Sequence, residues 1–257
     1  LGGFLTPILL SSGQDNPVGL FSYLAALDIG LIAVALRQRW HYLVALGAFA
    51  TAIMQFAWVG TYFTVEKVGT GSLVFLGFEA LFLLPLWLRP RADEGTQWLA
   101  GAAAVSMGAV TIFAAHLLSF QALGQKPWIG FAILLAADLG LITVALRQQW
   151  QWLVTLAAFA TMILQFGWAS HFFSPDMVGA GSILFLGFEA LFLVPFWLCH
   201  RNEESDPWTT AGSAISAGSA LVFAGQLLTY PSLGARPWIC LSILFAADAG
   251  LAVWPLR

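Results

Sequence analysis

The stretch Asp28-Ile-Gly-Leu-Ile-Ala-Val-Ala-Leu-Arg37-Gln-Arg-Trp40 returns 110 residues later as Asp138-Leu-Gly-Leu-Ile-Thr-Val-Ala-Leu-Arg147-Gln-Gln-Trp150, identical at ten of 13 positions. Gly69 to Leu88 matches Gly179 to Leu198 at 15 of 20 positions under the same shift. A third copy opens at Pro237-Trp238 and reaches Asp248. A fixed period of this kind marks a repeated supersecondary unit. One unit is expected over 17–126 and the next over 127–236, with 237–257 as the first helix of a third. Leu1 to Ser12 overlays Thr111 to Ala122, so 1–16 reads as the end of a preceding unit. Both ends therefore read as cut points, and the natural protein is expected to be longer.

Within the units, apolar runs fall near 18–36, 41–62, 71–88 and 97–119, then 128–146, 151–173, 181–198 and 208–229. A ninth covers 238–256. Runs of this length span a ~30 Å hydrocarbon core as helices. A β-barrel would show shorter, alternating segments. Helices also satisfy their own backbone hydrogen bonds, which lipid requires. Composition agrees: the 257 residues are 60% hydrophobic and 9% charged, where soluble domains carry about 25% charged residues. The expected fold is an all-α polytopic transmembrane bundle of tandem parallel four-helix repeats, forming a single membrane domain. Four spans per unit make successive units enter from the same side.

Net charge is −3, and the ten basic residues are scattered through short connections. No basic patch points to nucleic acid. No His/Cys cluster points to a metal, and Cys199 and Cys240 fall near opposite faces, so no disulfide is expected. No GxGxxG or P-loop points to a nucleotide, and no cofactor is expected. Arg37, Arg39, Arg89, Arg91, Arg147, Arg201 and Arg257 follow the first and third helices of the units, against Lys67, Lys126 and Arg236 on the other face. This bias places the Arg-rich face in the cytoplasm. Trp40, Trp58, Trp87, Trp98 and Trp128 lie near expected helix ends, as an interfacial belt requires.

Five acids fall inside the runs: Asp28, Glu79, Asp138, Glu189 and Asp248. No Lys or Arg accompanies them there. A charge at the bilayer centre costs at least ~2.5–3.5 kcal/mol, so each is expected to be buried and to keep its proton. Asp28 stands nine residues before Arg37, roughly 13 Å along a helix. Glu79 stands ten before Arg89, roughly 15 Å. The same depth in the second and fourth helices reaches Thr51 and Ser106. The expectation is a polar layer of Asp28, Thr51, Glu79 and Ser106, echoed by Asp138, Thr161, Glu189 and Ser216.

Two readings of this layer compete. Intramembrane carboxyls commonly serve proton or ion transport. Neutral carboxyls also form interhelical hydrogen bonds that fix register, and a feature that recurs with its scaffold suits that structural role. Gln55 and Gln165 read as interhelical hydrogen-bonding groups. His41, His116 and His171 are replaced in the other copy by Gln151, Gln226 and Thr61, against a titrating role in every unit. Gly69 and Gly71 precede the third helix on this reading, and Pro85 bends it near Leu81. Small residues over Gly101 to Gly108 and Gly212 to Ala220 read as packing faces between units.

At Asp28-Ile-Gly-Leu with Leu36-Arg37-Gln-Arg-Trp40, and at Gly77-Phe-Glu-Ala-Leu-Phe82, the chain resembles the long bacterial multi-pass predicted membrane proteins of unknown function. The resemblance implies a bacterial inner membrane and tandem hydrophobic units. It supplies no reaction or catalytic residue. Transport or permeation of a small solute or ion leads. A non-enzymatic scaffold binding lipid, partner membrane subunits or further repeats of the same chain is the alternative. An enzyme would need polar catalytic groups near an interface, and the connections hold only scattered ones such as His41 and Arg89.

Overall fold

The computed structural model describes residues 3–4, 6, 13–88, 95–201 and 207–252. Among them are nine long helices and no strand. We label them α1 (Pro17–Gln38), α2 (Tyr42–Tyr62), α3 (Val68–Leu88), α4 (Thr96–Ser119), α5 (Trp128–Gln148), α6 (Trp152–Phe172), α7 (Val178–Arg201), α8 (Pro207–Leu227) and α9 (Pro237–Ala252). Arg89, Arg91 and Arg257 lie outside the described residues.

Helix limits follow from local chemistry. Asn16 caps α1 by accepting from the Gly19 N–H at 2.9 Å, and Pro17 starts the helix where a missing N–H costs nothing. At its other end Arg39 takes a left-handed conformation, φ 60°, and its N–H reaches Ala35 O. Gln149 repeats that conformation, also at φ 60°. Glycine is the usual residue there, so neither stop is marked by composition.

Seven helices, α1 to α7, are long and apolar enough to cross a bilayer. The sequence reading expected nine. Serine, threonine and glycine dilute the apolar content of α8, and α9 has 16 described residues. The polar positions Thr209, Ser213, Ser216 and Ser219 of α8 are covered by protein, where such groups bond rather than face lipid.

Contacts divide the chain into two units: residues 1–120 with 136–148, and residues 121–135 with 149–257. The division falls inside α5 instead of at Lys126. The C-terminal half of α5 packs on α3, with Gln148 Nε2 donating to Leu86 O and the Arg147 guanidinium 4.9 Å over the Trp87 ring.

In the first unit α4 packs along α2 and α3, and α1 packs on α2. Phe75 and Phe113 stack at 4.2 Å and 5°, with Phe63 edge-on to Phe113 at 5.5 Å. In the second unit α8 packs along α6 and α7. Phe185 and Phe223 stack at 4.2 Å and 5°, with Phe173 edge-on to Phe223 at 5.3 Å. Ring for ring, these contacts stand 110 residues apart.

The stack explains two glycines. Gly69 and Gly71 lie in the first turn of α3, not ahead of it. A Cβ on Gly71 would stand 2.6 Å from Phe113 Cζ, and one on Gly181 would stand 2.5 Å from Phe223 Cζ. The small-residue stripe of α8 also works inside its own unit: a Cβ on Gly212 would touch the Thr155 backbone at 3.5 Å.

Trp40, Trp87, Trp98 and Trp128 are about half exposed, as an interfacial belt requires, but Trp58 is 2% exposed. Its indole N–H donates to Asp15 Oδ1 at 2.9 Å, so it anchors the connection before α1 instead of meeting the interface.

Candidate functional site

Apolar packing brings the acids of the first unit into its interior. Asp28 on α1 is fully buried. Thr51 on α2 donates to its Oδ2 at 2.6 Å. The other oxygen, Oδ1, has no hydrogen-bond partner among the described residues. It faces Gly47, where an added Cβ would stand 3.1 Å away.

Glu79 on α3 is 2% exposed, and its Oε1 is buried without a hydrogen-bond partner. The glutamate one period on, Glu189 on α7, is also 2% exposed, and both of its oxygens are buried and unpartnered. The buried side chains at helical spacing from each acid are apolar: Phe75, Phe82 and Leu86 on the helix of Glu79, Phe185 and Phe192 on that of Glu189. A buried polar atom without a partner costs roughly 1–3 kcal/mol, so two such sites at one repeat position ask for a reason beyond packing.

Of the expected polar layer, the structure joins Asp28 to Thr51. Ser106 is buried, and no hydrogen bond among the described residues links it to Glu79. Asp138 is fully buried and belongs to the first unit, whereas Thr161, Glu189 and Ser216 are buried in the second. Asp248 was expected to be buried and is exposed. Asp28 is covered where α2 lays Thr51 against it.

Gln55 donates to Val74 O at 3.5 Å, bridging α2 to α3. Gln165 donates to Leu184 O at 3.2 Å, and Ser219 on α8 donates to Gln165 Oε1 at 3.3 Å. These amides bond between helices. His116 sits among Phe63 and Phe120 at ring distances of 5.6 and 5.0 Å, and His171 is exposed. His41 is buried beneath Gly95, whose φ is +86° and whose added Cβ would stand 2.0 Å from His41 Nδ1. Among the described residues no group of three His, Cys, Asp or Glu is placed to hold a metal ion.

One cluster escaped sequence reasoning. Lys67, after α2, pairs with Asp15 Oδ2 at 2.6 Å and donates to Tyr62 O at 2.8 Å. Burial works to raise the Asp15 carboxyl, but the Lys67 bond, the Trp58 bond and the Lys67 charge outweigh it and hold it below the ordinary aspartate value. The second copy has Gln125 and Met177 at these positions. There the tryptophan, Trp168, donates to Gly124 O at 2.8 Å. Only the recurring tryptophan hinted at this anchor, because Asp15 and Lys67 stand 52 residues apart.

No curated protein matches the chain, and no solved structure matches it. A family does: the predicted membrane proteins designated DUF2339, whose pattern covers residues 1–137. That match takes in α1 to α4 with the Asp28, Thr51 and Glu79 positions just described, and it ends at Ala137 within α5. The chain belongs to the DUF2339 family of predicted membrane proteins.

Proposed function

We propose that this protein is a permeation or transport component for a small ion or solute, with Glu79 and Glu189 as its working carboxyls. One observation carries the reading: among the described residues, Oε1 of Glu79 and both oxygens of Glu189, one repeat period on, are buried without a hydrogen-bond partner. An acid kept only for packing is expected to find a partner on another helix, as Asp28 Oδ2 does in Thr51. Intramembrane acids mark ion and proton pathways. Seven helices suited to a bilayer and membership of a membrane family support the setting. The reading includes a bacterial inner membrane, with the face of Arg37, Arg39 and Arg147 cytoplasmic by the positive-inside rule. It also includes tandem four-helix units over 17–126 and 127–236.

The aspartates support a second, narrower reading. Full burial and the Thr51 bond suit Asp28 to holding α1 against α2, as a membrane scaffold would require. The two roles then divide between the acids: aspartate for register, glutamate for chemistry.

Proton and cation flux into liposomes tests this. Wild type conducts above empty liposomes, Glu79→Gln with Glu189→Gln falls to background, and Asp28→Asn keeps the flux. Wild-type flux equal to that of empty liposomes for protons, sodium and potassium would leave the scaffold reading standing.

A further inference from the structure

The glutamate sites differ from a metal site in what they lack. A hard cation takes about six oxygen ligands or keeps its waters. Glu79 and Glu189 are each buried on a helix whose other buried positions at the same spacing are apolar, Phe75, Phe82 and Leu86 on α3 and Phe185 and Phe192 on α7. No described side-chain hydroxyl or amide is bonded to either. Thr51 is engaged with Asp28, and Gln55 and Gln165 are engaged with backbone carbonyls. An ion stripped of water there would lose far more than one carboxylate returns. A proton needs no shell. It binds one oxygen, removes the charge, and leaves a single weak donor unmet.

The surrounding charges agree with a neutral acid. Against α3 pack α1, α2 and α4 and the C-terminal half of α5. Towards the middle of those helices the titratable groups are Asp28 and Asp138, both acids. His116, Arg37 and Arg147 stand near helix ends, as do Glu66 and Lys67 ahead of α3. Against α7 pack α6, α8 and α9. They bring His171 near an end and Asp248 within α9, with Asp176 in the turn before α7. No described cation lies at mid-helix to hold either glutamate ionised.

We propose that Glu79 and Glu189 each hold one exchangeable proton within the membrane and do not bind metal cations. This deepens the permeation reading and rests on it for the use of the proton, but its test is separate.

Wild-type protein in lipid nanodiscs is treated with a hydrophobic carbodiimide, and the adducts are mapped by peptide mass spectrometry. The acid O–H adds across one C=N bond, and the O-acylisourea rearranges to an N-acylurea with no leaving group. Adducts are expected on Glu79 and Glu189 at neutral pH, unchanged by sodium, potassium or calcium, with little on Asp28. Infrared spectra check the sites without reagent access. The protonated-carboxyl band shifts in D2O, and loses intensity in Glu79→Gln with Glu189→Gln. Sodium protection of the adducts would overturn the proposal, as would an infrared band unchanged in the double variant. Equal labelling by a water-soluble carbodiimide would do so as well. Adducts without flux of protons, sodium or potassium would uphold the proton sites and sink the permeation reading.

Discussion

Asp28 and Glu79 carry the same functional group into the interior, and their neighbours set them apart. The Thr51 hydroxyl occupies one oxygen of Asp28 at 2.6 Å, while Glu79 Oε1 meets none. Interhelical hydrogen bonds in membranes average ~0.6 kcal/mol and reach ~1.7. Thr51→Val is therefore expected to lower stability by about 0.6–1.7 kcal/mol, read as an earlier midpoint in detergent unfolding, with ion flux retained. An unchanged midpoint would show the bond to be idle. Gly95 offers a second test at this scale. Its φ of +86° and its 2.0 Å approach to His41 leave no room for a Cβ. Gly95→Ala should destabilise by roughly 1–3 kcal/mol from backbone strain alone. His41→Ala in the same protein would relieve only the clash, so partial rescue is expected. The acids themselves were legible in the sequence, since carboxyls inside apolar runs stand out. Their separate satisfaction was not, because it depends on which neighbouring helix reaches which oxygen.

At the scale of the helix, glycine and phenylalanine form one device. Gly71 lets Phe113 press against the first turn of α3, and Gly181 does the same for Phe223. Overpacking of this kind costs about 1–3 kcal/mol, so Gly71→Ala should lower the unfolding midpoint, and Gly71→Ala with Phe113→Leu should recover part of it. Loss in the double variant equal to the sum would mean the two residues do not touch. The anchor ahead of α1 responds to pH. Asp15 is held below its ordinary value by Lys67 and Trp58. Its contribution is thus present above the unfolded-state value and is lost as pH falls through the folded one. Lys67→Met, which copies the second repeat, should flatten that loss below about pH 4, near the ordinary aspartate value. A stability profile identical to wild type down to acid pH would exclude the clamp. The repeated segments announced their helices through length and apolarity, yet the Asp15–Lys67 pair joins two connections that nothing in either segment relates.

At the scale of the whole molecule, seven bilayer-length helices and the family match establish a membrane protein. Its sidedness is a matter for labelling. Arg39→Cys, between α1 and α2, should react with an impermeant maleimide only after the cytoplasmic side is opened. Glu66→Cys, ahead of α3, should react in intact cells. The reverse pattern would invert the proposed orientation. Native Cys199 and Cys240 are buried, which keeps the background low.

The amino-acid sequence alone determined that this chain is helical and apolar throughout, because a run of about 20 apolar residues has one solution in lipid. It also determined the 110-residue period and the presence of five acids within it. Tertiary structure decided the rest: that Trp58 faces an aspartate and not the interface, that Gln165 bonds to Leu184 O, and that α5 is shared between two units. The physical reason is common to all three. Hydropathy records whether a residue can leave water, which is local, whereas the partner it meets depends on helices far away in the chain. For Asp28 that partner is Thr51, and among the described residues no side chain is hydrogen-bonded to Oε1 of Glu79 or to either oxygen of Glu189.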